Sequence, residues 1–172
     1  LTLTAGMRYA QTKVSIEAGF IGPYAGTAAY TDRGSQKEKP FTPKVGLKYD
    51  IDEENNVYAT VSEGFRVGGY NPRQFDVCRP QLVSLGLGNI NPAEYQSDKV
   101  WNYEVGAKNR LFDRRVTINS SAYMLKWKNI QQPVTLNSCG GNFLDNLGSA
   151  TIKGFDMQMN VQPVDALSLG LS

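Results

Sequence analysis

Seven stretches of this chain alternate apolar and polar residues with period two, and the connections between them are alternately long and short. Period two places one set of side chains on each face of a β-strand. In KVWNYEVGAKNR, Trp101, Tyr103, Val105 and Ala107 share one face, while Asn102, Glu104, Gly106 and Lys108 share the other. GFDMQMNVQ sets Phe155, Met157, Met159 and Val161 against Asp156, Gln158, Asn160 and Gln162. The opening stretch sets Leu1, Leu3, Ala5, Met7 and Tyr9 against Thr2, Thr4, Gly6 and Arg8. Val45, Leu47 and Tyr49 follow the same rule, as do Val57, Ala59 and Val61, and Leu167, Leu169 and Leu171. The weakest stretch carries Val116, Ile118, Ala122 and Met124 on a face that Ser120 interrupts. No helical periodicity of useful length competes.

Around DIDEENN, FDRR and PVDA the connections are tight, whereas residues 10–41, 66–98 and 128–149 exceed ordinary hairpin loops. An up-and-down meander with this alternation has its tight turns at one end and its long loops at the other. That is the plan of an outer-membrane barrel, with short periplasmic turns and long extracellular loops. The predicted fold is therefore all-β: an antiparallel up-and-down transmembrane β-barrel, present as an incomplete segment of about seven strands of a larger barrel. The apolar parity would face lipid. Glu63, Lys99, Lys126 and Lys153 fall on that parity at the long-loop side, where a lipid-facing charge costs about 0–1 kcal/mol rather than the 2–4 of the midplane. Charged strand ends in any protein would look the same. The polar parity, with Glu104, Lys108, Asp156 and Gln158, would make a poor sandwich core and a good aqueous lumen. Arginine at Val105 or Met157 is expected to impair assembly, and at Gly106 less so.

Composition removes several functions. Eighteen basic and sixteen acidic residues leave a formal charge of +2, dispersed along the 172 residues, so no electrostatic footprint for nucleic acid exists. No stretch approaches the eighteen or more apolar residues that a transmembrane helix needs, and the mean hydropathy is −0.37, but neither fact bears on a barrel, whose strands meet lipid at every second residue. With no His and two Cys, zinc has too few ligands and no Ser has an activating base; neither an enzyme nor a cofactor is expected. DIDEEN lacks the Gly and the final Glu of a calcium loop. GFRVGG is followed by Asn71 and Pro72 rather than by a helix, so Gly64, Gly68 and Gly69 are not a phosphate cradle. They are expected to let the strand end twist, or another backbone approach.

The segments FTPKVGLKYDI, NNVYATVSEGFRVGGYNP, VWNYEVGAKNRLFDRRVTINSSAYMLKWKNIQ and NLGSATIKGFDMQMNVQP resemble successive segments of the β-barrel domain of TonB-dependent outer-membrane receptors. The resemblance covers most of residues 41–172 and includes the order of motifs. It implies a plugged, 22-stranded barrel and a receptor in the outer membrane of a Gram-negative bacterium, surrounded by lipid and lipopolysaccharide. Such a receptor captures a scarce nutrient, such as a ferric siderophore, and moves it with energy delivered through the TonB complex. On this reading residues 1–172 are part of the barrel domain of a longer protein, without its plug, its TonB-contacting segment or the barrel C-terminus. A passive porin-like barrel and a surface β-sandwich adhesion module are the alternatives.

Cys78 and Cys139 fall in long loops of consecutive hairpins, and an oxidising exterior would pair them; two separate thiols are the other possibility. Extracellular loops of such receptors do the capturing. Arg66, Tyr70, Arg73, Arg79 and Tyr95, in or beside the longest loop, are candidates for contact with an anionic or aromatic ligand, although solvated loop residues would read the same way.

Overall fold

The computed structural model describes residues 1–22 and 30–172. Its strands in chain order are β1 (Thr2–Tyr9), β2 (Thr12–Phe20), β3 (Tyr30–Glu38), β4 (Phe41–Asp50), β5 (Asn55–Arg66), β6 (Gly69–Tyr70), β7 (Glu94–Tyr95), β8 (Asp98–Leu111), β9 (Val116–Lys128), β10 (Gln131–Leu136), β11 (Gly141–Asn146), β12 (Ser149–Val164) and β13 (Leu167–Leu171). One helical turn, α1 (Arg79–Ser84), follows a short 3₁₀ stretch. The main sheet has seven strands in the order β1-β4-β5-β8-β9-β12-β13, each antiparallel to its neighbours. It is a segment of barrel wall, not closed within this chain.

Register carries the alternation across the sheet. Leu3, Leu47, Ala59, Val105, Ala122 and Phe155 stand in one row over six strands. The adjacent row reads Thr4, Gly46, Thr60, Glu104, Tyr123 and Gly154, on the opposite face. A one-residue slip in any strand would mix the two sets. The apolar face stays open: Leu3 is 71% exposed, Val105 58% and Phe155 64%. An uncovered apolar surface of this extent is unstable in water and suits hydrocarbon. The polar face is internally bonded: the Tyr58 hydroxyl donates to Glu104 Oε1 at 2.7 Å, and Asn102 Nδ2 donates to Glu104 Oε2 at 3.2 Å.

Gly106 does not offer the harmless position expected of it. A Cβ there would lie 2.6 Å from the Tyr58 ring, which stands directly opposite, and 2.7 Å from the Ser120 carbonyl. The face is polar, but this point on it is filled.

The tight turns lie together at one end. In DIDEENN, Asp52 Oδ1 accepts the amides of Glu54 and Asn55, each at 2.8 Å, and its carboxylate also accepts from the Asn55 side chain. The last of these contacts, foremost, holds the Asp52 carboxyl below its usual range. This acidic turn binds itself. In FDRR, Phe112, Asp113 and Arg114 take left-handed backbone, with φ of 55°, 54° and 68°. Arg114 Nε donates to Glu54 Oε1 at 2.6 Å and ties the two turns together.

At the other end the long connections are more ordered than expected. The connection 10–41 is largely a hairpin: β2 pairs with β3 from Thr12 opposite Glu38 to Phe20 opposite Tyr30. Residues 23–29 of this connection lie outside the described residues. The Ala10 amide donates to the Pro40 carbonyl at 3.0 Å where this hairpin joins the main sheet. Val14, Ile16, Ala18 and Phe20 alternate with Lys13, Ser15, Glu17 and Gly19, the same period-two signal as in the wall. The buried apolar residues of the described chain, Cys78, Leu82, Leu136 and Phe143, all belong to the other two long connections.

Candidate functional site

The two later connections need a core of their own because they stand beyond the sheet. Pro80 in the first turn starts α1, which turns Leu82 inward beside Cys78. The β10–β11 hairpin supplies Leu136 and Phe143, and Phe75, Leu87, Val134 and Cys139 pack around this group. A disulfide joins Cys78 to Cys139, with Cα atoms 5.3 Å apart across 61 residues of sequence. The β2–β3 hairpin adds Phe20, edge-on to Phe75 with ring centroids 5.2 Å apart. All three outer connections thus form one packed module.

Polar side chains stitch the module where apolar contact cannot. Asn71, 5% exposed, spends its amide on both neighbours: Nδ2 donates to the Pro92 and Leu144 carbonyls at 3.0 and 2.7 Å, and Oδ1 accepts the Leu144 amide at 2.9 Å. Asn91 accepts the Gln74 amide at 2.9 Å and donates to the Pro72 carbonyl at 3.1 Å. Both satisfy buried backbone groups that strand pairing leaves over.

Where the module meets the barrel wall, Asp98 is 2% exposed and faces Arg66 across the β5–β8 register. Arg66 donates to Asp98 Oδ2 through Nε at 3.1 Å and through Nη2 at 2.5 Å, and Nη2 reaches the Gln131 carbonyl at 3.0 Å. The Gln131 amide donates to the same carboxylate oxygen at 3.2 Å, while Gln131 Nε2 donates to the Val67 and Gln96 carbonyls at 2.8 and 3.0 Å. The Arg66 guanidinium also lies 5.6 Å from the Trp127 ring centroid.

A second clamp is Glu38 at the end of β3. It accepts the Gly68 amide at 3.1 Å, the Ser97 amide at 2.7 Å and a short bond from the Ser97 hydroxyl. Burial acts to raise its pKa, but these bonds, with Lys99 nearby, outweigh it and hold the carboxyl below the usual range. The glycines that interrupt the strand end have their reason here. A Cβ on Gly68 would lie 2.3 Å from the Tyr95 carbonyl, and one on Gly69 would lie 2.4 Å from the Tyr95 hydroxyl. Another segment does approach closely, while Gly64 meets only the Val100 side chain at 3.4 Å.

The five residues singled out from sequence divide accordingly. Arg66 is the clamp on Asp98. Tyr70 donates to Asp32 at 3.3 Å, and its ring fills the space where Gly34 lacks a side chain. Burial first, then the Asp32 carboxylate, pushes its phenol up. Tyr95 covers Gly69 in the β6–β7 pair. Arg73 and Arg79 both reach Asp76 Oδ1, at 3.3 and 2.8 Å, with side chains about half exposed. Val77, Val83, Leu85 and Ile90 lie exposed in the same connection. Two half-exposed guanidiniums thus share this connection with exposed apolar side chains, a chemistry that suits an anionic ligand with apolar parts. Asp32, Glu38, Asn71, Asn91 and Gln131 were not legible in sequence, because their partners lie about 20 to 75 residues away and polar loop residues carry no periodic signal.

Residues 1–172 match the family described as TonB dependent receptor-like, beta-barrel. The metal-pseudopaline receptor CntO of Pseudomonas aeruginosa strain UCBPP-PA14 is 26% identical over 141 residues, 81% of this chain and 17% of that protein. The chain therefore spans about a sixth of that relative's length. Among solved structures, the ferric yersiniabactin uptake receptor FyuA of Yersinia pestis matches with a TM-score of 0.67 at 19% identity, over 95% of this chain and 22% of that one. The ferric-catecholate import receptor Fiu of E. coli K12 matches with a TM-score of 0.64 at 13% identity, over 95% and 23%. These structural likenesses establish the barrel fold.

Proposed function

The chain belongs to the TonB-dependent receptor β-barrel family of the Gram-negative outer membrane, and from that premise we propose that it forms the capturing part of a nutrient receptor. The nutrient is a metal chelate, with a ferric siderophore as first choice, and uptake through the full-length protein depends on the TonB complex. One observation carries this reading: the long connections are packed into a disulfide-tied module above a polar-faced wall. A passive pore has no need of a rigid outer surface with its own core. A receptor does, because preorganised loops lose less entropy when they bind.

Within the module, Arg73 and Arg79 are the proposed ligand contacts. Their side chains are about half exposed and pair with a carboxylate that is itself exposed. An incoming anionic chelate would compete with the Asp76 carboxylate there. Arg66, Tyr70 and Tyr95 act by holding the module in shape. The relatives named for metal-pseudopaline, ferric yersiniabactin and ferric catecholate favour a chelate over a sugar.

The test is uptake of radiolabelled iron, presented as a panel of ferric siderophores, by iron-starved cells carrying the full-length protein with and without a functional TonB. Saturable uptake that requires TonB and falls in R73A/R79A supports the reading. Uptake that persists without TonB would indicate a passive barrel.

A further inference from the structure

We infer that the ligand held by Arg73 and Arg79 carries an aliphatic chain, as an acylated anionic chelate does, and that the flank of α1 bearing Val83 receives that chain. The inference rests on the role proposed above for the two arginines and adds the chemistry of the ligand's apolar part. Helix geometry sets the flank. Successive residues of an α-helix are about 100° apart, so Val83 stands only about 40° from Arg79 around the axis of α1. Leu82, 1% exposed, turns into the core. Gln81 occupies the opposite flank, where its Oε1 accepts the Ser138 amide and hydroxyl at 3.0 and 2.7 Å. Arg79 and Val83 are left side by side and exposed, with Cβ atoms about 6 Å apart. Through Asp76, Arg73 joins the cationic end of this flank.

The apolar side chains left exposed near these arginines are aliphatic, and the aromatic ones are spent elsewhere. Between residues 66 and 98, Phe75 meets Phe20 edge-on, Tyr70 covers Gly34 and Tyr95 covers Gly69. Val77, Val83, Leu85 and Ile90 of the same connection remain about half exposed. An aromatic ring would offer a flat face to a catechol. Branched aliphatic side chains offer no such face, and their gain comes from covering methylene groups. Charge selects the occupant. An anion site adjoins an aliphatic flank, so one molecule with an anionic head and a chain reaching one helical turn fills both. A second copy of this chain, meeting the same face about a two-fold axis, would bring two further guanidiniums to it and add repulsion.

The test titrates the full-length receptor in lipid nanodiscs with a ferric citrate dihydroxamate, an anionic chelate, carrying either an acetyl or a hexanoyl group on one hydroxamate. Empty nanodiscs correct for partition into lipid. The hexanoyl form has four more methylenes. A methylene laid on one flank loses about half its contact with water, about a two-fold gain in affinity, so the longer chain should tighten binding about 15-fold. V83Q should cut that gain to about four-fold, by removing about half of the covered methylenes, and V83I should keep it. L147Q, in the connection between β11 and β12, should not alter it. R73A/R79A should weaken both forms by the same factor. Recovery of each variant from outer membranes with Cys78 and Cys139 oxidised checks that the module has formed. Equal affinity for the two forms, an undiminished gain in V83Q, or binding of neither form overturns the proposal. A receptor dimer that V83Q dissociates would assign the flank to a second copy and overturn it as well. Arginine-dependent binding of the acetyl form with no gain from the longer chain would sink this inference and leave the nutrient reading standing.

Discussion

Arginine at Met157 should destabilise the barrel, while arginine at the neighbouring Gln158 should not. Met157 lies on the lipid face, midway along β12 between Lys153 near the outer rim and Val161 near the turn end. A strand rising about 3.4 Å per residue and tilted about 40° descends roughly 2.6 Å per residue, so Met157 sits about 10 Å below Lys153. In a hydrocarbon band about 25 Å tall, that is close to the midplane. Arginine there costs about 2–4 kcal/mol, a shift of roughly 30-fold to nearly 1000-fold in the folded-to-unfolded ratio. Gln158 points into the lumen, opposite Asn119 and exposed, where the same substitution should stay within about 0.5 kcal/mol. The assay is reversible urea unfolding of the full-length protein in lipid vesicles, followed by tryptophan fluorescence. Equal destabilisation by M157R and Q158R, or a larger effect of Q158R, would refute the assignment of faces. Gly106 is a poor lumen control, because the Tyr58 ring occupies the space any side chain would need.

Removing the disulfide with C78S/C139S should loosen the module without affecting barrel insertion. Closing a loop of 61 residues accounts for about 4 kcal/mol in the chain-entropy model, so amides around Leu82 and Leu136 should exchange faster while those of β8 and β9 do not change. Asp98→Ala should cost about 1.5–3 kcal/mol, since it removes a charge-assisted partner of Arg66 and orphans the Gln131 amide; protease cleavage within 66–98 and 128–149 would report it. Glu38 predicts an acid-sensitive hinge. Its folded pKa is depressed, so its contribution is complete above the unfolded carboxylate range and is lost as pH falls through the lower folded value. Exchange of the Gly68 and Ser97 amides should therefore rise only in acid below that range, and E38Q should remove the pH dependence while leaving the neutral-pH fold intact.

The wall was readable from sequence because each of its signals is local. Val105 and Glu104 reveal their faces through their immediate neighbours, and DIDEENN and FDRR mark turns by composition and length. The β2–β3 hairpin was equally readable in principle, since Val14, Ile16, Ala18 and Phe20 alternate as the wall does. It was missed because a long connection between two wall strands reads as a loop. Of the candidate contact residues, sequence supplied chemistry but not role. Arg66 and Arg79 look alike in the chain, yet one reaches a buried carboxylate and the other a surface one.

Period-two patterning, the placing of tight turns and the position of lysines on the apolar parity thus determined a barrel wall and its orientation, because strand faces follow from backbone geometry alone. The module above it was decided only in three dimensions. Asn71 bonds to Leu144 and Gln131 to Val67 because three connections converge over the same end of one sheet and must satisfy one another's backbone groups where strand pairing stops. No local pattern encodes that convergence; it arises from the register of the wall beneath.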